Sequence, residues 1–203
     1  MATRPSRRRF RAVGTERCVI SDSAECRTRP VMSECPFHLF GIEPHFEVDP
    51  RQVRQRLLRE SARRHPDRAP DAVTAAAWTE ELAALNQAAD RLLDDLQRAE
   101  HLLMLRGGPG PGDDRTLPDG FLESMLQIRM ELEEAVAGGD EEGRADLEAW
   151  GRREWGTRRA EVARLLDGPD GRAPDTLVAV RRELNCWRYS QRMLEQLDRS
   201  RGD

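Results

Sequence analysis

Segment 63–67, Arg-Arg-His-Pro-Asp, has the residue types and spacing best suited to chemistry in this sequence. Pro66 has no backbone N–H and disfavours a helical conformation at the preceding residue. A helix that begins near Pro50 must therefore stop at His65. This places His65 and Asp67 on a tight, exposed turn between two helices. A carboxylate held on such a turn can accept a bidentate arginine from a partner protein.

Three arginines share one face of the helix before this turn: Arg56, Arg59 and Arg63. At 100° per residue, Val53 and Leu57 share a different face, which should pack on the next helix. Exposed arginines attract an acidic surface over a long range, and salt screens this attraction. A charge run is more often simply a solvated face. The pattern alone leaves both interpretations open.

The composition predicts a polar, helical chain and argues against several classes of partner. The sequence has 203 residues, of which 38% are hydrophobic and 34% charged, and all 33 basic residues are arginine. GC-rich coding explains the absence of lysine more simply than phosphate binding does. The net charge of −4 does not favour a nucleic-acid partner. No apolar run is long enough to cross a membrane.

Residues 1–34 are rich in arginine and serine, and we expect a disordered extension there. The segment lacks the apolar core of a secretory signal. Its early arginines are similar to those of a transit peptide, so a mitochondrial-matrix location remains an alternative to the bacterial cytoplasm.

The cysteines do not form the pattern of a disulfide framework, which fits a reducing compartment. Cys18, Cys26 and Cys35, together with His38, could in principle hold a metal. Structural zinc sites usually pair cysteines two to four residues apart, and these are spaced by eight and nine. We therefore expect no resident cofactor, and keep a metal-binding or redox protein as an alternative.

Local patterns predict four helices in the first part of the chain. A short helix or turn at 36–42 is anchored by Phe37 and Phe40, and Asp49 caps the helix that starts at Pro50. Two more helices span 71–93 and 95–105. The longer one has an apolar stripe at three- and four-residue spacing, formed by Trp78, Leu82, Leu85, Ala89 and Leu92.

A Gly/Pro-rich segment at 107–117 predicts a linker between two domains. It lacks the lysine of a P-loop and the spacing of a Rossmann motif, so no nucleotide site is expected there. Three helices follow at about 118–137, 141–166 and 174–197. Short loops separate them, which predicts a three-helix bundle.

The first helix of this bundle has two apolar stripes. One consists of Phe121, Met125, Ile128, Leu132 and Ala135, and the other of Leu122, Leu126 and Met130. On the last helix, Tyr189 and Met193 form a similar pair away from the core. A second stripe indicates an exposed binding patch, a wide core, or packing against the first domain. Periodicity alone does not choose among these.

Several short motifs occur in an informative order. They are Phe37-His38-Leu39-Phe40-Gly41, His65-Pro66-Asp67, Leu85-Asn86-Gln87-Ala88, Arg98-Ala99-Glu100-His101-Leu102-Leu103, and Phe121-Leu122 through Ile128-Arg129 to Glu131-Leu132. His-Pro-Asp is typical of any J domain, and the full order over about 36–197 resembles HscB, the J-protein of iron–sulfur cluster assembly. The resemblance implies an L-shaped, all-α protein. A J domain built on a helical hairpin would span 35–106, and a three-helix scaffold-binding domain would span 118–198.

The resemblance also implies two binding sites and no enzymatic activity. An HscA/DnaK-type chaperone would bind the turn and the arginine face, and its ATPase would be stimulated. An IscU-type scaffold would bind the second domain. The chaperone-binding residues would be His65, Pro66, Asp67, Arg56, Arg59 and Arg63, and the scaffold-binding residues Leu122, Leu126, Met130, Glu134 and Tyr189.

The sequence departs from these families at a few positions. J domains usually have apolar residues at the positions of Glu60 and Arg64, and HscB relatives often have an aromatic residue at Ala89. An i, i+4 ion pair contributes a few tenths of a kcal/mol, against ~1.5–3 kcal/mol for each buried apolar side chain. A J-domain protein with another client, or a helical adaptor with a degenerate J domain, therefore remains an alternative.

Overall fold

A computed structural model describes residues 35–199, with side chains as far as residue 196, and all the regular elements in this range are helical. This confirms the all-α prediction. The predicted extension at 1–34, including Cys18 and Cys26, lies outside the described residues. The helices are α1 (Pro36–Leu39), α2 (Pro50–Arg63), α3 (Ala72–Leu93), α4 (Asp95–Leu105), α5 (Phe121–Gly138), α6 (Glu141–Asp167) and α7 (Pro174–Arg199), with a 3₁₀ turn at Pro66–Arg68.

Aspartate side chains cap four of the helices, which explains why local sequence predicts their starts so well. Each accepts a hydrogen bond from a backbone N–H of the first turn at 2.7–3.0 Å. Such a cap pairs a donor that the helix itself leaves without a partner. The caps are Asp49 on α2, Asp71 on α3, Asp94 on α4 and Asp140 on α6.

Helices α2 and α3 pack against each other and form the hairpin that ends in the turn. Val53 is the buried residue of α2, and Leu57 is half-buried against the core. On α3, Leu85 and Ala89 are buried, so the small Ala89 lies inside the packing. The apolar face predicted for each helix therefore points to the core.

One continuous hydrophobic core joins residues on both sides of segment 107–117. It includes Phe37 of α1 and Leu102 of α4, together with Trp187 of α7. The Trp187 ring makes edge contacts with Trp155 at 5.7 Å and with Phe46 at 6.4 Å between centroids. Helix α7 thus packs against the elements that support the hairpin.

Segment 107–117 is hydrogen-bonded to α7 along its length. Arg181 Nε donates to the carbonyl of Pro109 at 2.9 Å. The amide of Asn185 donates to the carbonyls of Asp114 and Thr116 at 3.1 and 3.2 Å. These bonds hold an irregular segment, which has few backbone partners of its own, against the last helix.

Two arginines are buried in this core, which hydrophobic periodicity did not predict. Arg181 pairs with both carboxylate oxygens of Glu100, at 2.9 and 2.5 Å. Arg98 donates to the carbonyl of Phe46 at 2.6 Å, and its guanidinium lies 4.9 Å from the Phe46 ring centroid. Burial of a charge is tolerated only with such partners.

A second, smaller cluster lies between α5, α6 and α7. It consists of Leu132, Ala135, Leu147 and Met193. The prediction that Met193 lies off the core beside Tyr189 is therefore wrong. Half-buried Trp150 packs against this cluster, so the bundle is wide enough to take in Met193.

Cys186 is expected to resist alkylation in the folded protein. Its side chain is fully buried on α7, and burial raises the pKa of the thiol to about 11. At pH 8 roughly one thiol in a thousand would be ionised, and only the thiolate reacts readily. Peptide mass mapping after iodoacetamide treatment should find Cys186 unmodified in the native protein and modified in urea. Rapid native modification would contradict this packing.

Candidate functional site: an exposed His-Pro-Asp turn and an exposed apolar stripe

The His-Pro-Asp turn forms a single 3₁₀ turn that displays two polar side chains. His65 caps it, since its Nδ1 accepts from the Asp67 N–H at 3.3 Å and its carbonyl accepts from the Arg68 N–H at 2.9 Å. The side chains of His65 and Asp67 are exposed, with Nδ1 and Oδ2 3.6 Å apart. Arg68 also donates to the carbonyl of Ala62 at 2.9 Å, which ties the turn to α2.

The three arginines predicted to form one docking face differ in their surroundings. Arg56 is half-buried, and its Nη1 donates to the carbonyl of Phe40. Arg63 is exposed and pairs with Glu60 at 3.1 Å. Arg59 is exposed, and its side chain has no hydrogen bond or ion pair with any residue in the described part of the chain. Arg59 is thus the member most available to a partner.

Two further arginines of α2 were missed by the sequence reasoning. The side chains of Arg51 and Arg54 are exposed and make no hydrogen bond or ion pair within residues 35–196. They share a helix face with Leu58, which is 70% exposed, on another side of α2 from Arg56, Arg59 and Arg63. The spacing of three residues from Arg51 to Arg54, and of four from Arg54 to Leu58, was the available signal.

The two charged residues that depart from the J-domain pattern contact each other and α3. Arg64 donates from Nη1 to Glu60, and its Nε lies 2.8 Å from Glu81 on α3. Glu60 also accepts from Arg63. Where the family resemblance implies apolar packing, this chain has a network of alternating charges.

The second apolar stripe of α5 is exposed. The exposed fractions of Leu122, Leu126 and Met130 are 54%, 60% and 61%. The first stripe faces inward, with Phe121 and Leu132 buried. A wide core or packing against the first domain therefore does not account for the second stripe.

Tyr189 on α7 and Glu134 on α5 are the other two residues predicted to bind the scaffold. The Tyr189 ring makes an edge contact with Phe121 at 5.7 Å, and 38% of the residue remains exposed. Glu134 is exposed on α5, four residues beyond Met130. Helix α5 has one arginine and four glutamates, all exposed: Arg129, Glu123, Glu131, Glu133 and Glu134. An apolar stripe with an acidic border is the result.

Of the residues that could hold a metal, Cys35 and His38 lie in the described part of the chain. Cys35 is buried, with its Sγ 3.7 Å from His101 Nε2, and burial lowers the pKa of the imidazole. Between residues 35 and 196 no three His, Cys, Asp or Glu side chains cluster as metal ligands would. No helix in the same range is both long and apolar enough to span a bilayer.

Comparison with known proteins places this architecture in a family. A protein of Ralstonia nicotianae named co-chaperone protein HscB homolog is 36% identical over 173 residues, which is 82% of this chain and 96% of the relative. The chain belongs to the HscB family of co-chaperones. An HscB homolog of Aeromonas hydrophila is 40% identical over 103 residues, covering 47% of this chain and 58% of that protein. No protein-family model matches the chain.

Two solved structures share the fold of this HscB-family chain. The human co-chaperone protein HscB superposes with a TM-score of 0.72 at 21% identity, over 86% of this chain and 83% of the human one. HscB from Vibrio cholerae superposes with a TM-score of 0.66 at 22% identity, over 82% of this chain and 97% of the Vibrio cholerae chain. The resemblance to HscB is thus confirmed, while the roles of the individual site residues stay predictions.

Proposed function

We propose that this HscB-family chain binds an IscU-type iron–sulfur scaffold and delivers it to an HscA/DnaK-type chaperone, whose ATPase it stimulates. The observation that supports the proposal most is that both elements predicted to bind partners are exposed on one chain. These are the turn with His65 and Asp67, and the stripe of Leu122, Leu126 and Met130. The chain itself would act without catalysis, and promote cluster maturation by bringing its partners together.

The turn and α2 suit an acidic partner. Arg51, Arg54 and Arg59 are exposed and lack intramolecular partners among the described residues. Their charge would steer the chaperone's ATPase domain toward the turn, with a strength that falls as salt rises. Asp67 would then make the short-range, geometry-dependent contact.

The α5 surface suits a partner with an apolar patch and a basic rim. Leu122, Leu126 and Tyr189 present large side chains that are already exposed, so binding would remove apolar area from water without unfolding the bundle. Glu134 and its acidic neighbours on α5 would face the basic rim of the partner's apolar patch. Binding energy at such surfaces is concentrated in a few central side chains.

Steady-state ATP hydrolysis by a cognate HscA-type chaperone tests the proposal. Titration of the full chain, with and without IscU, should raise the rate, and IscU should raise it synergistically. Stimulation without synergy would point to a different client and reject the proposed binding of the scaffold. No stimulation would reject the proposed action on the chaperone and favour a helical adaptor with a degenerate J domain.

Arg59→Ala should raise the concentration needed for half-maximal stimulation about three-fold at low salt. One exposed charge contributes less than about 1 kcal/mol to association, and salt screens it. The difference from the unsubstituted chain should shrink at 0.5 M NaCl.

Arg153→Ala is the matched control, since Arg153 is exposed on α6 and its side chain has no partner among the described residues. It should leave the half-maximal concentration unchanged. An equal effect of both substitutions would show that net charge alone matters, and would reject a specific role for Arg59.

A further inference from the structure

The end of the α2–α3 hairpin that displays the turn has little apolar packing. Val53 is the buried residue of α2, and it lies three helical turns before His65. At 100° per residue, Leu57 continues its face and is half-buried, and the next positions toward the turn are Glu60 and Arg64. Both are charged and half-buried.

Arg64 takes the place of that packing by bridging the two helices. It is the C-cap residue of α2 and directly precedes His65. Its Nε lies 2.8 Å from Glu81 Oε2 on α3, while its Nη1 donates to Glu60 on α2. A planar guanidinium with several donors can hold two carboxylates at once in a fixed geometry.

We propose that Arg64 is a positioning residue for chaperone stimulation, which fixes the His65-Pro66-Asp67 turn relative to α3 through Glu81. The inference rests on the proposed function. Arg64 acts through the backbone, because its side chain points to α3 and its main chain continues into the turn. Without the bridge, the end of α2 would move relative to α3, and Asp67 would spend less time where the chaperone requires it.

The effect of removing the negative charge of Glu81 distinguishes this positioning role from direct binding of Arg64 to the chaperone. If Arg64 only supplied a positive charge for an acidic partner, removing the negative Glu81 would strengthen binding or leave it unchanged. If Arg64 works through Glu81, removing either partner of the 2.8 Å pair harms stimulation in the same way. The double substitution then adds little, because two residues of one interaction are not additive.

The experiment compares Arg64→Met, Glu81→Gln and the double variant by titration against the chaperone ATPase. Each single variant should lower the maximal stimulation three- to ten-fold and change the half-maximal concentration less than two-fold. The double variant should equal the worse single one. A loss at Arg64→Met with no loss at Glu81→Gln would overturn the proposal, and so would additive losses.

Hydrogen exchange supplies a readout that needs no chaperone. The amides of Arg68 and Ala69 donate to the carbonyls of His65 and Pro66 at 2.9 and 3.0 Å. Both variants should lower their protection at least three-fold while amides of α7 stay protected. If the turn loses protection but the unsubstituted chain never stimulates, the proposed function fails, while the conclusion that the Arg64–Glu81 pair holds the turn against α3 stands. Unchanged protection in both variants would reject the positioning role.

Arg164→Met is the matched control, because Arg164 forms an exposed ion pair with Glu161 on α6 at 2.6 Å, at a different site. It should change neither stimulation nor exchange at the turn. An equal effect of Arg164→Met would show a general consequence of losing an exposed ion pair, and would overturn the inference.

Discussion

Asp67→Asn is expected to reduce the maximal stimulation of an HscA-type ATPase about 10- to 100-fold. The substitution keeps the size of the side chain and removes the charge that would accept an arginine of the chaperone. Charge-assisted hydrogen bonds contribute about 1.5–3 kcal/mol, which corresponds to that range. Steady-state phosphate release at saturating concentrations of the variant measures the effect.

The fold should tolerate this change, because the Asp67 side chain is exposed. Among the described residues it contacts His65, with Asp67 Oδ2 3.6 Å from His65 Nδ1. Thermal unfolding should therefore occur within about 2 °C of the unsubstituted chain. Asp146→Asn is a matched control, since Asp146 is exposed on α6 and its side chain has no partner in the described residues. Full stimulation by Asp67→Asn would refute the role assigned to the turn.

Leu126→Ala combined with Tyr189→Ala should weaken binding of an IscU-type scaffold about 100-fold or more. Leu126 is the middle residue of the exposed stripe of α5, and Tyr189 on α7 contacts Phe121 at the start of α5. Anchor side chains of a protein interface contribute about 2 kcal/mol or more each. Isothermal titration calorimetry with the purified scaffold, on the double and both single variants, measures the loss.

Leu58→Ala provides the control for this second prediction. Leu58 is 70% exposed on α2, so its truncation removes a similar apolar side chain from a different surface. It should leave scaffold binding unchanged. Circular dichroism checks the fold, because Tyr189→Ala also removes the ring contact with Phe121. Scaffold affinity that survives the double substitution would contradict this site and favour a different client.

The sequence by itself determined the helices and the location of the candidate sites. Pro66 ends α2 for a local reason, and aspartates such as Asp49 and Asp71 cap helices through bonds within three residues. The two stripes of α5 follow from helical geometry alone. Leu126 and Leu132 therefore differ in burial as their spacing predicts. These features depend on neighbours in the chain, so local patterns reveal them.

The tertiary structure decided which charged and polar side chains remain available. Arg56 donates to the carbonyl of Phe40, and Arg181 is buried against Glu100, because the fold brings distant segments together. Helical periodicity cannot show such partners. It also could not separate Met193, which fills the gap between three helices, from Tyr189, which stays exposed one turn earlier. The contacts of a side chain with residues far along the chain, and not its place on a helix, set its availability to a partner.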